Sequence, residues 1–548
     1  MQHLVRHGPS AGAPAAAEDA HSAWRCPVKR SEAPARADVV IVGAGHNGLV
    51  AAVLLARRGL DVVVLEEKDA VGGAVKTEHP FRQAPGLGVS SGAYLLGLAP
   101  PELLREVGVA LPLRRRDPHY FLPTTDRRYL LFGSDQAAMK RQFLEFFSQD
   151  DWDANSALQA ELAALRDDIA PTWLAEPLSI EETAERYVRP ALRRTFVALC
   201  RGTISDYLAR FGWKSDLLKA MYAVTDAFSG LAGGFESPGT GMNFLIHNMC
   251  RLPGADGTWM IVEGGMGTIS RLFAEKAMAE GATIVTGARV ARIEASGGAV
   301  SGVLLEDGTR IAAKVVVSNA DPYRTRALAG EEAIGASLSA RLDALAKDGS
   351  TLKVNMALTG LPTFTCLPED RGQFGPTIHL LPDEDVVMDT LRQAHRDAMS
   401  GRLPEFPAIE WYFHTPIDPS LRDASGHHNA ALFVQWVPYA LAGGETWDQA
   451  APRYVKHLLS ICDRFAPGMS DLVLETFTLA PPDIERHFGI TKGHIHHIDN
   501  SFGFADRVPY RFGLAGLYSC SAGTHPAGSV IGAAGHNAAK AALADLGK

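Results

Sequence analysis

Residues 39–66 read VVIVGAGHNGLVAAVLLARRGLDVVVLE. The apolar run 39–42 predicts a parallel strand buried on both faces. Gly43, Gly45 and Gly48 then form a GxGxxG turn. LVAAVLLA continues as a helix, with Arg57, Arg58 and Gly59 as its stop, and residues 61–66 predict a second buried strand. Each glycine has a physical task. The first permits the tight turn, the second lets the backbone approach a pyrophosphate, and the third lets the helix pack on the strand. The helix N-terminus offers free N–H groups and its positive dipole end to phosphates. Glu66 lies 18 residues beyond Gly48, close to the ~20 expected of an acid that binds ribose hydroxyls. A dinucleotide site is therefore expected, with a solvated strand-end carboxylate as the bland alternative for Glu66.

The extension EKDAVGGAVKTE (67–78) separates FAD from NAD. Its paired Gly72 and Gly73 allow close backbone approach to something lying across the strand ends. The long GxGxxG–Glu–GlyGly pattern resembles the FAD-binding start of the amine oxidase and phytoene desaturase superfamily. One departure stands out: many members have Arg after the paired glycines, where this chain has Ala74, with Lys76 as a substitute. Further segments resemble the phytoene desaturase-like group: SPGTGMNFLIHNM (237–249), VEGGMGTISRLF (262–273), VVVSNADP (315–322), DIERHFGI (483–490) and SCSAGTHPAGSVIGAAGHNAA (519–539). GAGHNGLVAA and the GGMG block look most like the branch named for pyridine nucleotide-disulphide oxidoreductase domain-containing protein 2. The matches run from Asp38 to about Lys540, although the chain has no CxxC and no second GxGxxG.

The resemblance implies one FAD. It places Glu66, Glu67, Lys68, Gly72, Gly73 and Ala74 around the cofactor, and has the backbone of Val290 hold the adenine. Gly523, Thr524 and His525 would lie by the ribityl chain and diphosphate. A helix beginning near Val530 and Ile531 would point its N-terminus at the flavin N1/O2 edge, where reduced flavin is negative.

The fold class that follows is α/β. A Rossmann-like FAD-binding domain is expected over 38–90, 256–325 and 501–548, with a discontinuous α+β substrate domain over 91–255 and 326–500. Residues 1–37, rich in Ala, Pro and polar residues, read as a disordered tail. They lack the apolar core of a secretory signal, and an organellar leader is the minority reading.

Catalytic side chains are expected to be few, because the cofactor carries the redox chemistry. The stretch GHIHHID (493–499) is the most unusual polar cluster; on a strand, His494 and His496 would share a face and His497 would point away. In TLKVNMAL (351–358), Lys353 and Asn355 alternate with apolar residues, so Lys353 is a third candidate. No metal site is expected, since no Cys or carboxylate pair completes one near the histidines. Aromatics at 411, 412, 436 and 439 read as core more often than as a substrate box.

The net charge of −9 and the lack of a basic block argue against a nucleic-acid partner. Six scattered cysteines fit a reducing compartment, and no apolar run reaches the ~18–20 residues of a bilayer span. A cytoplasmic or matrix location is expected, and a peripheral membrane contact is compatible with it. The expected activity is hydride transfer from a C–C or C–N bond of an apolar or amphipathic small molecule to flavin N5, with electrons passed on to oxygen or a quinone. The alternatives are an FAD-dependent redox-neutral isomerase and a flavin-bound interaction protein without turnover.

Overall fold

A computed structural model describes residues 33–548. The expected tail therefore lies outside the described residues as far as residue 32. Its last part is corrected: residues 35–37 run beside Ala312, whose N–H donates to the Ala35 carbonyl at 3.0 Å, while the Ala37 N–H donates to the Ala312 carbonyl at 2.9 Å. Ala33 and Ala37 also pack on apolar core, so order begins before Asp38.

The three blocks separated in sequence converge on one sheet. Its five strands run in the order Leu517–Ser519, Val315–Ser318, Val39–Val42, Val62–Leu65 and Thr283–Val285, and every pairing is parallel. Alternation along the central strand explains why its run is wholly apolar. Val39 and Ile41 face the helices His46–Ala56, Gly267–Ala279 and Ala533–Asp545. Val40 and Val42 face an antiparallel sheet of Val290–Ser296, Ala299–Leu305 and Arg310–Ala312. Each such side chain contributes about 1.5–3 kcal/mol by leaving water, so a polar residue at any of the four would be opposed from either side. The turn Asp307-Gly308 closes the hairpin as its sequence predicts, with Gly308 at φ +88°.

The two insertions build a second sheet of seven strands. The order is Val473–Leu479, Thr351–Leu358, His428–Gln435, Ala408–Phe413, Thr377–Leu380, Tyr120–Pro123 and Tyr129–Phe132. Helices from 136 to 247 pack beside its far end around one large apolar cluster.

The packing departs from the expected boundaries at 91 and 326. Helix Pro101–Val107 seats Leu103 and Val107 against the nucleotide-layer helices. Helix Ala336–Leu345 seats Leu342 and Leu345 on the opposite side of that layer. Both helices carry their apolar stripes to the parallel sheet's own core, which no composition shift in the sequence marks.

Candidate active site

One cavity of about 2130 Å³ runs from the carboxyl ends of the parallel strands to the polar face of the seven-stranded sheet. Ordinary ligand pockets measure about 300–1,000 Å³, so this one has room for a dinucleotide and a substrate together.

The phosphate-loop end is built by Gly43, Gly45, His46 and Asn47. The helix His46–Ala56 has no side-chain cap and no acid in its first turn. Its first N–H groups are thus left for an anionic ligand at the cavity wall. A Cβ at Gly45 would stand 2.5 Å from Asn319 Nδ2. Gly48 does not line the cavity; a Cβ there would meet the Gly43 carbonyl oxygen at 2.4 Å, so this glycine permits the helix to sit on the turn. Glu66 is buried, and burial pushes its carboxyl above the usual range. Its two oxygens accept the N–H of Ala44 at 2.8 Å and of Lys68 at 3.0 Å. The acid therefore braces the turn as well as standing where a ribose would lie. The paired glycines close over the loop: the Gly72 N–H donates to the Ala44 carbonyl at 2.9 Å, and Gly72 at φ +123° adopts a backbone only glycine takes readily. Glu67, Lys68, Gly72, Gly73, Ala74 and Val290 all line the cavity. This end fits FAD: an uncapped helix N-terminus, a side-chain-free cradle and a strand-end acid come together.

The closing segment is placed differently from its expectation. Gly523, Thr524, His525 and Ile531 do not line the cavity, whereas Ala522, Ser529 and Val530 do. Gly523 backs onto Pro322 and Ile498. Thr524 Oγ1 donates to the Ser521 carbonyl at 2.9 Å, His525 Nε2 donates to the Thr172 carbonyl at 2.8 Å, and Ile531 joins the large apolar cluster. The last helix starts at Ala533 after Gly532 at φ +83°, three residues later than the expected Val530. A buried arginine fixes this segment. Arg507, 1% exposed, gives hydrogen bonds to the carbonyls of Ile498, Asp499, Ala522 and Thr524 and to Asn500 Oδ1, all at 3.0–3.2 Å.

The histidine cluster is not a strand. Residues 494–497 form turns, with the His497 N–H donating to the His494 carbonyl at 2.8 Å and His497 itself at φ +60°. His494 is buried off the cavity, 3.6 Å from Asp499. His496 does line it. Its Nε2 lies 2.9 Å from the Ser229 carbonyl, which can only accept. A neutral ring must then carry its proton on Nε2 and present Nδ1 as a bare acceptor, and that Nδ1 has no partner. Gly230 and Gly528 make this placement feasible: a Cβ on either would lie within 2.4 Å of His496 atoms. Burial drives the ring down to about 3.

The inner end rests on sheet register. Lys353, Phe433, Glu410 and His379 pair directly across four neighbouring strands, so all four share one face. Lys353 Nζ lies 4.0 Å from the ring centre of Tyr94 and 4.1 Å from that of Phe433. Burial lowers the ammonium to about 7, although the two ring faces offset part of that desolvation. Burial raises Glu410 to about 8; Tyr412 donates to its Oε2, and its Oε1 has no partner. Asp226, on the π-helical turn Ala223–Ala227, is raised to about 7 by burial and lines the same chamber with His247, Trp259 and Ile495. Of the aromatics read as core, Trp411 and Trp436 are core, but Tyr412 faces the chamber. Glu410 carried a legible signal, a lone acid in the apolar run AIEWYF (408–413). Asp226 and Arg507 carried none.

Among the described residues, no helix is long and apolar enough to cross a membrane. The family described as flavin containing amine oxidoreductase matches residues 48–338. The chain is 34% identical to pyridine nucleotide-disulfide oxidoreductase domain-containing protein 2 of Mus musculus, covering 93% of this chain and 94% of that protein. It is 27% identical to hydroxyneurosporene desaturase of Cereibacter sphaeroides, covering 93% and 98%. The fold is similar to that of an oxidoreductase from Methanosarcina mazei, with a TM-score of 0.57 at 18% identity over 92% of this chain and 99% of that one. These likenesses and the cavity agree, and the chain belongs to the flavin-containing amine oxidoreductase family as an FAD-dependent oxidoreductase.

Proposed function

We propose that the chain oxidises an amphipathic small molecule at a C–C or C–N bond, with electrons passing afterwards to oxygen or a quinone. The observation that carries this reading is the continuity of the cavity. It leads from the phosphate loop to a chamber walled by Tyr94, Trp259, Tyr412 and Phe433 and ending on Lys353, Glu410 and Asp226. Aromatic walls suit an apolar body. The buried ionisable groups suit a polar end, since a purely hydrocarbon occupant would leave Glu410 Oε1 and His496 Nδ1 unsatisfied in a dry site.

The chemistry that bound FAD supplies is two-electron acceptance of a hydride at flavin N5. Gly43, Gly45, the helix N-terminus at His46, Glu66 and the Gly72–Gly73 pair would hold the cofactor. The remaining task of the protein is the proton. A base works best when its pKa lies near the operating pH. Lys353, held near 7, meets that condition at Nζ, whereas His496, held near 3, serves as a hydrogen-bond acceptor that orients substrate. Glu410 lies on the same face two strands away, across Phe433, and its carboxylate favours the charged form of Lys353. Tyr94 and Phe433 keep water from the amine.

The test is anaerobic mixing of the yellow protein with chain-matched alkanes, alkanols, alkylamines and fatty acids. Bleaching of the flavin by a member with a polar end supports the reading. Bleaching only by the hydrocarbon, or by none of a broad panel that includes polyenes, contradicts it.

A further inference from the structure

The diphosphate of FAD carries two negative charges, and the residue after the paired glycines, Ala74, offers none to balance them. The basic side chains along this half of the cavity are already engaged. Lys76 pairs with Glu78 at 2.9 Å, Arg271 with Glu275 at 2.8 Å, and Lys68 and Arg289 with Glu67 at 3.4 Å. Arg324 stands between Asp321 and Glu67, and Arg486 pairs with Asp483. Two imidazoles remain at the loop itself. His46 is the first residue of the helix whose N-terminus forms the anion site, and His497, on the turn before the closing segment, lines the same cavity near enough for the two rings' charges to interact. Among the described residues, neither forms an ion pair with a carboxylate. His46 Nε2 and His497 Nδ1 are buried without hydrogen-bond partners. His497 also holds a left-handed backbone, φ +60°, a conformation uncommon for a non-glycine residue and found most often at ligand clamps and active sites.

We propose that His46 and His497 form a protonatable clamp on the FAD diphosphate, making cofactor retention proton-linked. The inference rests on the cofactor reading above and adds the charge that balances the phosphates.

Without an anion, burial holds both rings at about 4. His46 faces His497, which lowers it further, and the Ser529 carbonyl, which raises it. His497 faces Asp321, which raises it, and His494, Arg507 and Arg324, which lower it. A dianion beside both rings favours the imidazolium forms, so binding takes up protons. Affinity is then highest at low pH and falls as pH rises through the raised values, by up to about tenfold per pH unit for each proton held. The diphosphate stays doubly negative throughout this range, so the dependence belongs to the protein.

Full-length holoenzyme is diluted into buffers from about pH 6 to about pH 8, the range in which an imidazole titrates, and released FAD is read by its fluorescence. The expected result is a dissociation constant that rises several-fold per pH unit. His497→Asn, which keeps a residue that tolerates the left-handed backbone, and His46→Gln should each flatten the slope, and the double variant should remove it. ADP-ribose, whose diphosphate is likewise a diester and stays doubly negative, should show the same pH dependence when it displaces FAD, and adenosine, lacking phosphates, should show none. A flat wild-type curve, a slope kept in the double variant, or an equal slope for adenosine overturns the clamp; the wild-type and nucleotide arms decide even where a variant fails to fold. Protein that binds no FAD at any pH overturns the cofactor reading along with it.

Discussion

Replacing Arg507 by Met should be among the most damaging single changes in the chain, though Arg507 touches neither loop glycine nor the inner chamber. Its guanidinium is desolvated, which lowers it to about 10, so it stays charged at neutral pH. Its five hydrogen bonds tie the turn carrying His496 and His497 to the segment carrying Ala522. Methionine fills the volume and supplies no donor. The carbonyls of Ile498, Ala522 and Thr524 would lose this partner in a dry interior, each at about 1–3 kcal/mol, while the Asp499 carbonyl keeps the Phe502 N–H and Asn500 Oδ1 keeps the Gly528 N–H. Relief from burying the charge offsets part of that. Changes that break buried charged networks typically cost about 3–5 kcal/mol net, a large share of the ~5–15 kcal/mol that holds a domain. Arg507→Lys should recover little, because one ammonium cannot reach acceptors that surround a planar fork. The assay is a thermal ramp following flavin fluorescence and far-UV circular dichroism together. FAD release should move well below that of wild type and precede loss of secondary structure. Release within a degree or two of wild type would refute the idea that this arginine organises the site's closing segment.

Lys353→Met should slow flavin reduction by a substrate roughly 10²–10⁴-fold, the usual range for a lost general base. It should also erase a rate limb that rises with pH through about 7, where the amine loses its proton. Folding lowers this lysine from its ordinary value, so its contribution to stability is present at high pH and is lost as pH falls toward 7. The Met variant should therefore melt no lower than wild type at neutral pH, which circular dichroism checks. Glu66→Ala should weaken FAD binding by more than one charge-assisted hydrogen bond, itself worth about 1.5–3 kcal/mol, because the N–H groups of Ala44 and Lys68 lose their acceptor as well. Flavin titration measures this. Gly48→Ala should yield folded but flavin-poor protein, since its Cβ must push the Gly43 carbonyl back from 2.4 Å; the ratio of flavin to protein absorbance reads the outcome.

The parts legible in sequence were those with short-range physics. A fully apolar strand, a glycine spacing and a strand-end acid each announce themselves within 30 residues, and the sheet of 39–42, 62–65 and 315–318 followed from them. Lys353 was visible because a charged residue within TLKVNMAL has to be paid for by something nearby. Its setting was not visible, because strand register brings Phe433 and Glu410 to its face of the sheet from distant segments, and Tyr94 covers it from a loop. The histidine stretch misled because its spacing was read with a strand's period of two, whereas the backbone turns at His497. Gly523 and His525 lie beside the cavity-lining Ala522 in sequence, yet the Arg507 knot directs them into the core.

The central claim is that this cavity holds one FAD. The direct measurement is to denature the purified protein and identify and count the flavin released. The account predicts FAD, at close to one per chain, in protein that regains its flavin when FAD is returned. Release of FMN, or a colourless chain that FAD cannot reconstitute, would contradict it.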